Sequence, residues 1–364
     1  MKELIYYNYF AFEKEDISKF PGMEKFLYFL KIYSYPPIFD RTDTIKLPIS
    51  VRSIYSIPKF QVFTKTFEEV CDDRAREVLD YSERKKKKIY IFYSGGIDST
   101  LVMVSLLKNA SKSQKKNMIV LLSDHSINEN PKFYNDYIGG KLSVESSLNF
   151  SYRLGEDSIF LTGEHNDHLF GSVWVKDLME TYGNDIVSKP YDTNLLVDFF
   201  NMKEDNAEMN KFWVGKFQEI VKKSPVQIVN FFDFFWWIGF ALRWQGFVMY
   251  PLLSIVCKTS DRVVSEEYFK NNYLTFFGTD DFQLWSMNNM DKKIKDTWKS
   301  YKWICKDIIY EYTKDADYRD NKIKIASMKN IIPNIDGKNF LDTGFNLYTD
   351  LSLSEIYLKD NDFK

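Results

Sequence analysis

The segment Ile89–Thr100, IYIFYSGGIDST, constrains the fold of this chain more than any other stretch. The apolar run Ile89–Tyr93 reads as a buried strand. It leads directly into Ser94-Gly95-Gly96, and an apolar helix, Leu101–Leu107, follows Asp98-Ser99-Thr100. Two glycines let the backbone turn tightly and approach a ligand without a Cβ in the way. Amides at the start of the helix then point at one spot and, with the helix dipole, favour an anion. Ser94, Ser99 and Thr100 add hydroxyl donors. Asp98 would be repelled by a bare phosphate, so its presence implies a cation such as Mg²⁺ between carboxylate and phosphate. An Asp cap on an ordinary strand-to-helix turn is the plainer alternative. The complete strand–SGGxDS–helix order favours phosphate binding, and the absence of a GxxxxGK[ST] lysine excludes a Walker A loop.

The rest of the chain supplies partners for that strand. Met118–Leu122 predicts a second buried strand and Ser158–Leu161 a third. Helices are expected at Asn130–Ile138 and, with polar character, around Val144–Tyr152. Short apolar strands alternating with helices predict an α/β fold with a doubly wound parallel sheet. Before it, Phe67–Tyr81 carries apolar residues at 67, 70, 71, 75, 78 and 79, a helical stripe with acidic residues in its first turn. Met1–Gln61 is aromatic and punctuated by prolines, with one helix expected near Met23–Tyr33 and small strands at Ile45–Val51 and Ile54–Ile57. Val173–Lys324 reads as mostly helical and the tail from Ile331 as polar and turn-rich. The expected division is a small N-terminal extension (1–66), a main domain (67–330) and a tail (331–364).

Composition narrows the function classes. The 364 residues are 45% apolar and 27% charged, enough for a large core. The 49 Lys+Arg against 51 Asp+Glu argue against binding nucleic acid through a global positive field. Cys71, Cys257 and Cys305 are far apart and form no CxxC, which excludes a disulfide framework and predicts a reducing, cytoplasmic setting. The start shows no signal-peptide run. Between Asp233 and Arg243 the uncharged stretch is nine residues, FFWWIGFAL, well below the roughly 20 needed to span a bilayer. No membrane partner is expected, and the aromatic cluster Phe231–Phe240 reads as helical core. Lys85–Lys88 reads as a solvated run before a strand.

Ile89–Thr100 resembles the PP-loop of the ATP pyrophosphatases, enzymes with an adenine nucleotide alpha hydrolase-like fold that split ATP to AMP and pyrophosphate while adenylating a substrate. A second stretch, Ser158–Ser172 (SIFLTGEHNDHLFGS), resembles the asparagine synthetase signature, a strand followed by GEGxDELFGG. Gly163-Glu164, Asp167 and Leu169-Phe170-Gly171 match it; His165, His168 and Ser172 depart from it. The resemblance implies that Asp98 and Asp167 together hold Mg²⁺ on the pyrophosphate of ATP, and that Glu164 handles a proton near the substrate. It also implies that Gly163 belongs to the nucleotide site and that the loop Leu122-Ser123-Asp124 lies near the adenosine. Thr297–Tyr310 resembles the family's lysine-bearing helix, which gives Lys302 the role of neutralising phosphate charge, with Lys299 as substitute and Lys306 in place of the usual arginine. Zinc through His125, His165 and His168 lacks a carboxylate geometry to support it.

The resemblance covers roughly Phe67–Tyr310 and leaves out the glutamine amidotransferase half, whose catalytic cysteine would follow the initiator methionine where this chain has Lys2. It therefore implies an asparagine synthetase-like ligase that does not hydrolyse glutamine. Such an enzyme adenylates a carboxylate and passes the acyl group to ammonia, to an amine, or to ammonia from a separate glutaminase subunit. The alternatives are a PP-loop enzyme acting on a nucleobase of tRNA or DNA, and an inactive nucleotide-binding scaffold.

Overall fold

The computed structural model describes residues 3–7, 12, 15–33, 37–171, 173–259, 266–325, 327 and 352–364. Ser172 and most of the expected tail, 328–351, lie outside the described residues, as does the side chain of Cys257. The chain divides into two compact units. The first comprises Met1–Phe60, Asp167–Cys257 and Thr343–Lys364; the second comprises Gln61–Asn166 and Lys258–Asp342.

The second unit holds a five-stranded sheet: β1 (Lys88–Phe92), β2 (Met118–Leu122), β3 (Ser143–Ser146), β4 (Ser158–Thr162) and β5 (Tyr273–Thr275). The order is β3-β2-β1-β4-β5 and every pairing is parallel. β1 lies at the centre, which is why Ile89–Phe92 are apolar throughout and buried on both faces. Moving out from β1, the chain order runs one way through β2 and β3 and the other way through β4 and β5. The order therefore reverses between β1 and β4, and in open parallel sheets ligands bind beside the carboxyl ends of the strands at such a switch.

The helix Phe67–Lys85 starts in a capping box, Thr66 and Glu69 each satisfying the other's amide, and ends at Lys86 in the left-handed region (φ 54°). The helix Ile97–Asn109 is buried from Ser99 to Leu107, as expected of a helix packed against other helices and a sheet.

One expected helix is replaced by an edge strand, and one further strand was not foreseen. The segment 144–152 is not a helix: Ser143–Ser146 is the edge strand β3, followed by a 3₁₀ turn over Ser147–Arg153. An edge strand pairs on one side only and can stay exposed, so SVES carries no apolar signal of a strand. β5 has only three residues and follows a long excursion from β4, so its sequence shows no strand pattern.

The first unit is helical, built on Met23–Tyr33, Val173–Tyr182, Thr193–Asn201, Ala207–Val221, Phe231–Leu242 and Trp244–Thr259. Its core is aromatic. Phe29 stacks on Trp213 with ring centroids 3.7 Å apart, and Trp213 donates its indole N–H to the Lys25 carbonyl at 3.1 Å. Phe363, fully buried, closes on Trp213 at 4.9 Å and Phe26 at 5.8 Å, so the last residues of the chain pack into the same core as the first helix. The expected strands at 45–57 appear only as isolated bridges, Leu4 to Val51 and Ile49 to Tyr357. Every residue of Phe231–Leu242 is buried. Among the described residues no helix is long and apolar enough to cross a membrane.

Candidate functional site

β1 delivers the chain to Ser94-Gly95-Gly96. Gly95 has φ 76°, and a β-carbon there would collide with the Ser126 carbonyl and the Glu129 side chain. Only glycine turns the chain there without strain. Ser94 and Ser99 lock the turn: the Ser94 amide donates to Ser99 Oγ (3.1 Å), the two hydroxyls lie 3.0 Å apart, and the Gly96 amide donates to Ser94 Oγ (3.3 Å). Both hydroxyls thus serve the loop itself, and Thr100 is fully buried. The amides of Gly95, Ile97, Asp98 and Ser99 have no hydrogen-bond partner among the described residues. Gly96 caps the helix without a side-chain bond, and N–H groups left in this way at a helix start are available to an anion.

Asp98, in the first turn, gathers cations. Its Oδ1 accepts from Lys302 Nζ and Asn166 Nδ2, both at 2.6 Å, and its Oδ2 accepts from Lys324 Nζ at 2.5 Å. Lys302 is fully buried and Asp98 nearly so. Two ammoniums therefore meet on one carboxylate beside these amides, and ammonium and amide N–H groups are the donors that phosphate oxygens accept from. The segment carrying Lys324 runs along the loop: Lys322 pairs with Glu129, and Ser327 Oγ stands 3.3 Å from where a Gly96 β-carbon would be. Trp298 donates its indole N–H to the Lys324 carbonyl at 3.4 Å.

Lys302 does not lie on a helix as expected. The helix runs Trp303–Thr313, and Lys302 is its N-cap in the left-handed region (φ 59°), anchored by its amide to the Lys293 carbonyl at 3.1 Å. That turn aims its side chain back at Asp98. Lys299 instead reaches Asn321 Oδ1, and Lys306 donates to the Lys299 carbonyl, so neither joins the Asp98 cluster. Lys324 was missed from sequence, because a lone K-x-K in a polar stretch carries no local signal.

β4 ends at Thr162, and Gly163 sits against the Asp98–Ser99 peptide. Glu164 is half-buried in the following turn, its amide donating to Thr162 Oγ1 at 3.4 Å. His165 occupies the position where the GEGxDELFGG pattern has glycine, and its backbone is left-handed (φ 76°). Its Nδ1 lies 3.0 Å from Thr275 Oγ1 on β5, and the ring is buried. Leu122 closes β2. Ser123 caps the short helix Asp124–Glu129, its amide donating to Ser126 Oγ at 2.8 Å, and His125 is exposed there.

Asp167 belongs to the first unit, where Arg243 is its charge partner. Arg243 is buried, its guanidinium over Phe247 (4.5 Å) and Trp174 (5.0 Å); burial pulls its pKa down to about 10 while Asp167 opposes the shift. His168 stands edge-on to Phe247 at 5.0 Å and Trp244 at 5.9 Å. Arg243 was also missed, although a single arginine inside an apolar run is itself a signal, since a buried charge has to be stacked or paired.

Among the described residues no three of His, Cys, Asp and Glu converge as a metal cage. Asp98 lies beside the buried side-chain amide oxygen of Asn166, which has no partner among the described residues. Mg²⁺ takes one or two carboxylates and fills its shell with phosphate and water oxygens. This donor set fits a Mg²⁺ that arrives with phosphates. Burial pushes the Cys305 thiol up to about 12, so it is not a nucleophile at neutral pH. No family model, curated protein or solved structure matches this chain.

Proposed function

We propose that this protein is an ATP-dependent, AMP-forming ligase of the PP-loop, asparagine synthetase-like type, which joins a carboxylate to ammonia or an amine. The observation that carries the reading is the grip of Lys302 and Lys324 on Asp98, next to four unpaired amides at the carboxyl end of β1. A pair of cations there suits a reaction in which negative charge grows on oxygens between the α- and β-phosphates. The reversal of strand order between β1 and β4, whose ends carry SGGIDST and GEHND, supports the same assignment.

In this reading the amides of Gly95, Ile97, Asp98 and Ser99 receive the pyrophosphate end of ATP, and Lys302 and Lys324 swing from Asp98 to the phosphates. Asp98 would hold Mg²⁺, which when bound screens phosphate charge. The substrate carboxylate attacks the α-phosphorus, the bond to the bridging oxygen breaks, and pyrophosphate leaves. The amine then attacks the acyl carbon, AMP departs, and Glu164 takes the proton that the amine loses.

The test is pyrophosphate release from Mg-ATP, offered carboxylic acids with ammonium, amines, or tRNA and DNA. The ligase reading expects release that requires a carboxylic acid and vanishes in Asp98→Ala and Lys324→Ala. Release triggered only by nucleic acid would replace it with nucleobase modification. No release and no ATP binding by calorimetry would leave a scaffold.

A further inference from the structure

A turn beyond Lys302, the second unit contains an open cavity of about 450 Å³ walled by Lys295, Lys299, Trp303, Lys306, Arg319 and Asp320, among others. Its volume is that of a small-molecule site. The charges on its wall do not cancel. The Arg319 guanidinium is spent on Asp320, with contacts of 2.7 and 3.2 Å, and lies over the Tyr310 ring. Among the described residues the three lysines have no carboxylate partner: Lys295 stands 4.0 Å over the Trp303 ring, Lys299 reaches the Asn321 amide oxygen, and Lys306 donates to the Lys299 carbonyl at 2.6 Å. Besides Asp320, the acidic groups on the wall are Asp296, whose carboxylate accepts from the Thr297 amide at 2.7 Å, and Asp307.

Lys306 is the informative member. It is 3% exposed, and an ammonium has three donors, of which one is used. Burial without a counter-ion disfavours its charged form, and its pKa falls to about 8; Lys299 pushes the same way, while Cys305, Asp307 and Asp320 oppose. The helix Trp303–Thr313 also begins at this wall, and its N-cap provides no side-chain bond. A buried amine, two further lysines without a carboxylate partner and a ligand-sized cavity leave a place for negative charge that the described residues do not fill.

We propose that this cavity binds a small oxyanion, the phosphate or carboxylate group of a metabolite, through Lys299 and Lys306, as a site separate from the one around Asp98. Lysines act as point charges and do not discriminate between the two groups. Anion binding stabilises the protonated amine, so affinity is highest below the free pKa of Lys306 and declines as pH rises through about 8.

The experiment is calorimetry on the full chain with inorganic phosphate and, separately, succinate, using wild type, Lys306→Met, Lys299→Ala and Asp98→Ala. Binding that depends on Lys299 and Lys306 is expected with at least one of the two probes, and which one binds there names the acid group. Lys306→Met and Lys299→Ala should each weaken it by about tenfold or more, with Asp98→Ala unchanged. Lys299 is exposed, so its variant carries the test if Lys306→Met fails to fold. No binding of either anion at millimolar concentration, an unchanged affinity in Lys299→Ala, or a loss in Asp98→Ala would overturn the proposal.

Discussion

Gly163 and Asp98 are in backbone contact: a β-carbon on Gly163 would stand 3.2 Å from the Asp98 carbonyl carbon and the Ser99 nitrogen. The end of β4 therefore presses on the first helical turn after the loop, with rigid backbone on both sides. Gly163→Ala should cost stability by about 1 kcal/mol. It should weaken ATP binding more than it lowers the melting temperature would suggest, because the displaced element carries the amides at the helix start. Paired denaturation and nucleotide titration check this; equal affinity in the variant would remove the contact from the site.

Asp98 holds two lysines of different character. Lys302 is fully buried, so Lys302→Met leaves a nearly buried carboxylate one partner short and should destabilise the chain by about 3 kcal/mol in urea denaturation. Lys324 is partly exposed, and Lys324→Ala should cost less than about 1 kcal/mol while abolishing pyrophosphate release. A stability loss as large for Lys324 as for Lys302 would mean that both lysines are structural.

His165 occupies a left-handed backbone position with a buried ring bonded to Thr275. His165→Ala and His165→Gly delete the same imidazole, but alanine keeps the positive-φ strain. His165→Gly should therefore be more stable than His165→Ala by about 1 kcal/mol. Urea midpoints of the two variants decide it, and equal midpoints would contradict the backbone assignment.

Lys306 titrates near 8 when folded because its charged form is buried without a counter-ion. The unfolded chain binds this proton up to about pH 10.4, so between the two values it holds more protons than the folded chain and stability rises with pH. From pH 7 to 9.5 wild type should gain on the order of 2 kcal/mol relative to Lys306→Met. Denaturation of both proteins at the two pH values measures the difference; parallel curves would show that Lys306 carries no depressed pKa.

The strand–loop–helix at 89–109 and the strands at 118–122 and 158–162 were legible because each is a local pattern: a continuous apolar run, a glycine turn, a helical stripe. Asp98 and Gly163 were legible for the same reason, since each sits at a fixed offset from its strand. β3 and β5 were not, since a polar edge strand and a three-residue strand are defined by hydrogen bonds to neighbours far along the chain. The association of residues 1–60, 167–257 and 343–364 in one unit was equally invisible: it depends on Phe363 finding Trp213 and Phe26, and sequence spacing does not encode such long-range packing.

The sequence by itself determined that a glycine turn would follow a buried strand and place a carboxylate in the first helical turn, because those depend on φ, on Cβ and on periodicity within a dozen residues. Tertiary structure alone decided which cations meet that carboxylate. Lys302 and Lys324 lie more than 200 positions from Asp98 and are brought to it by a left-handed turn and by an irregular segment along the loop. A charge selects its partner through space, and only the folded chain sets that distance.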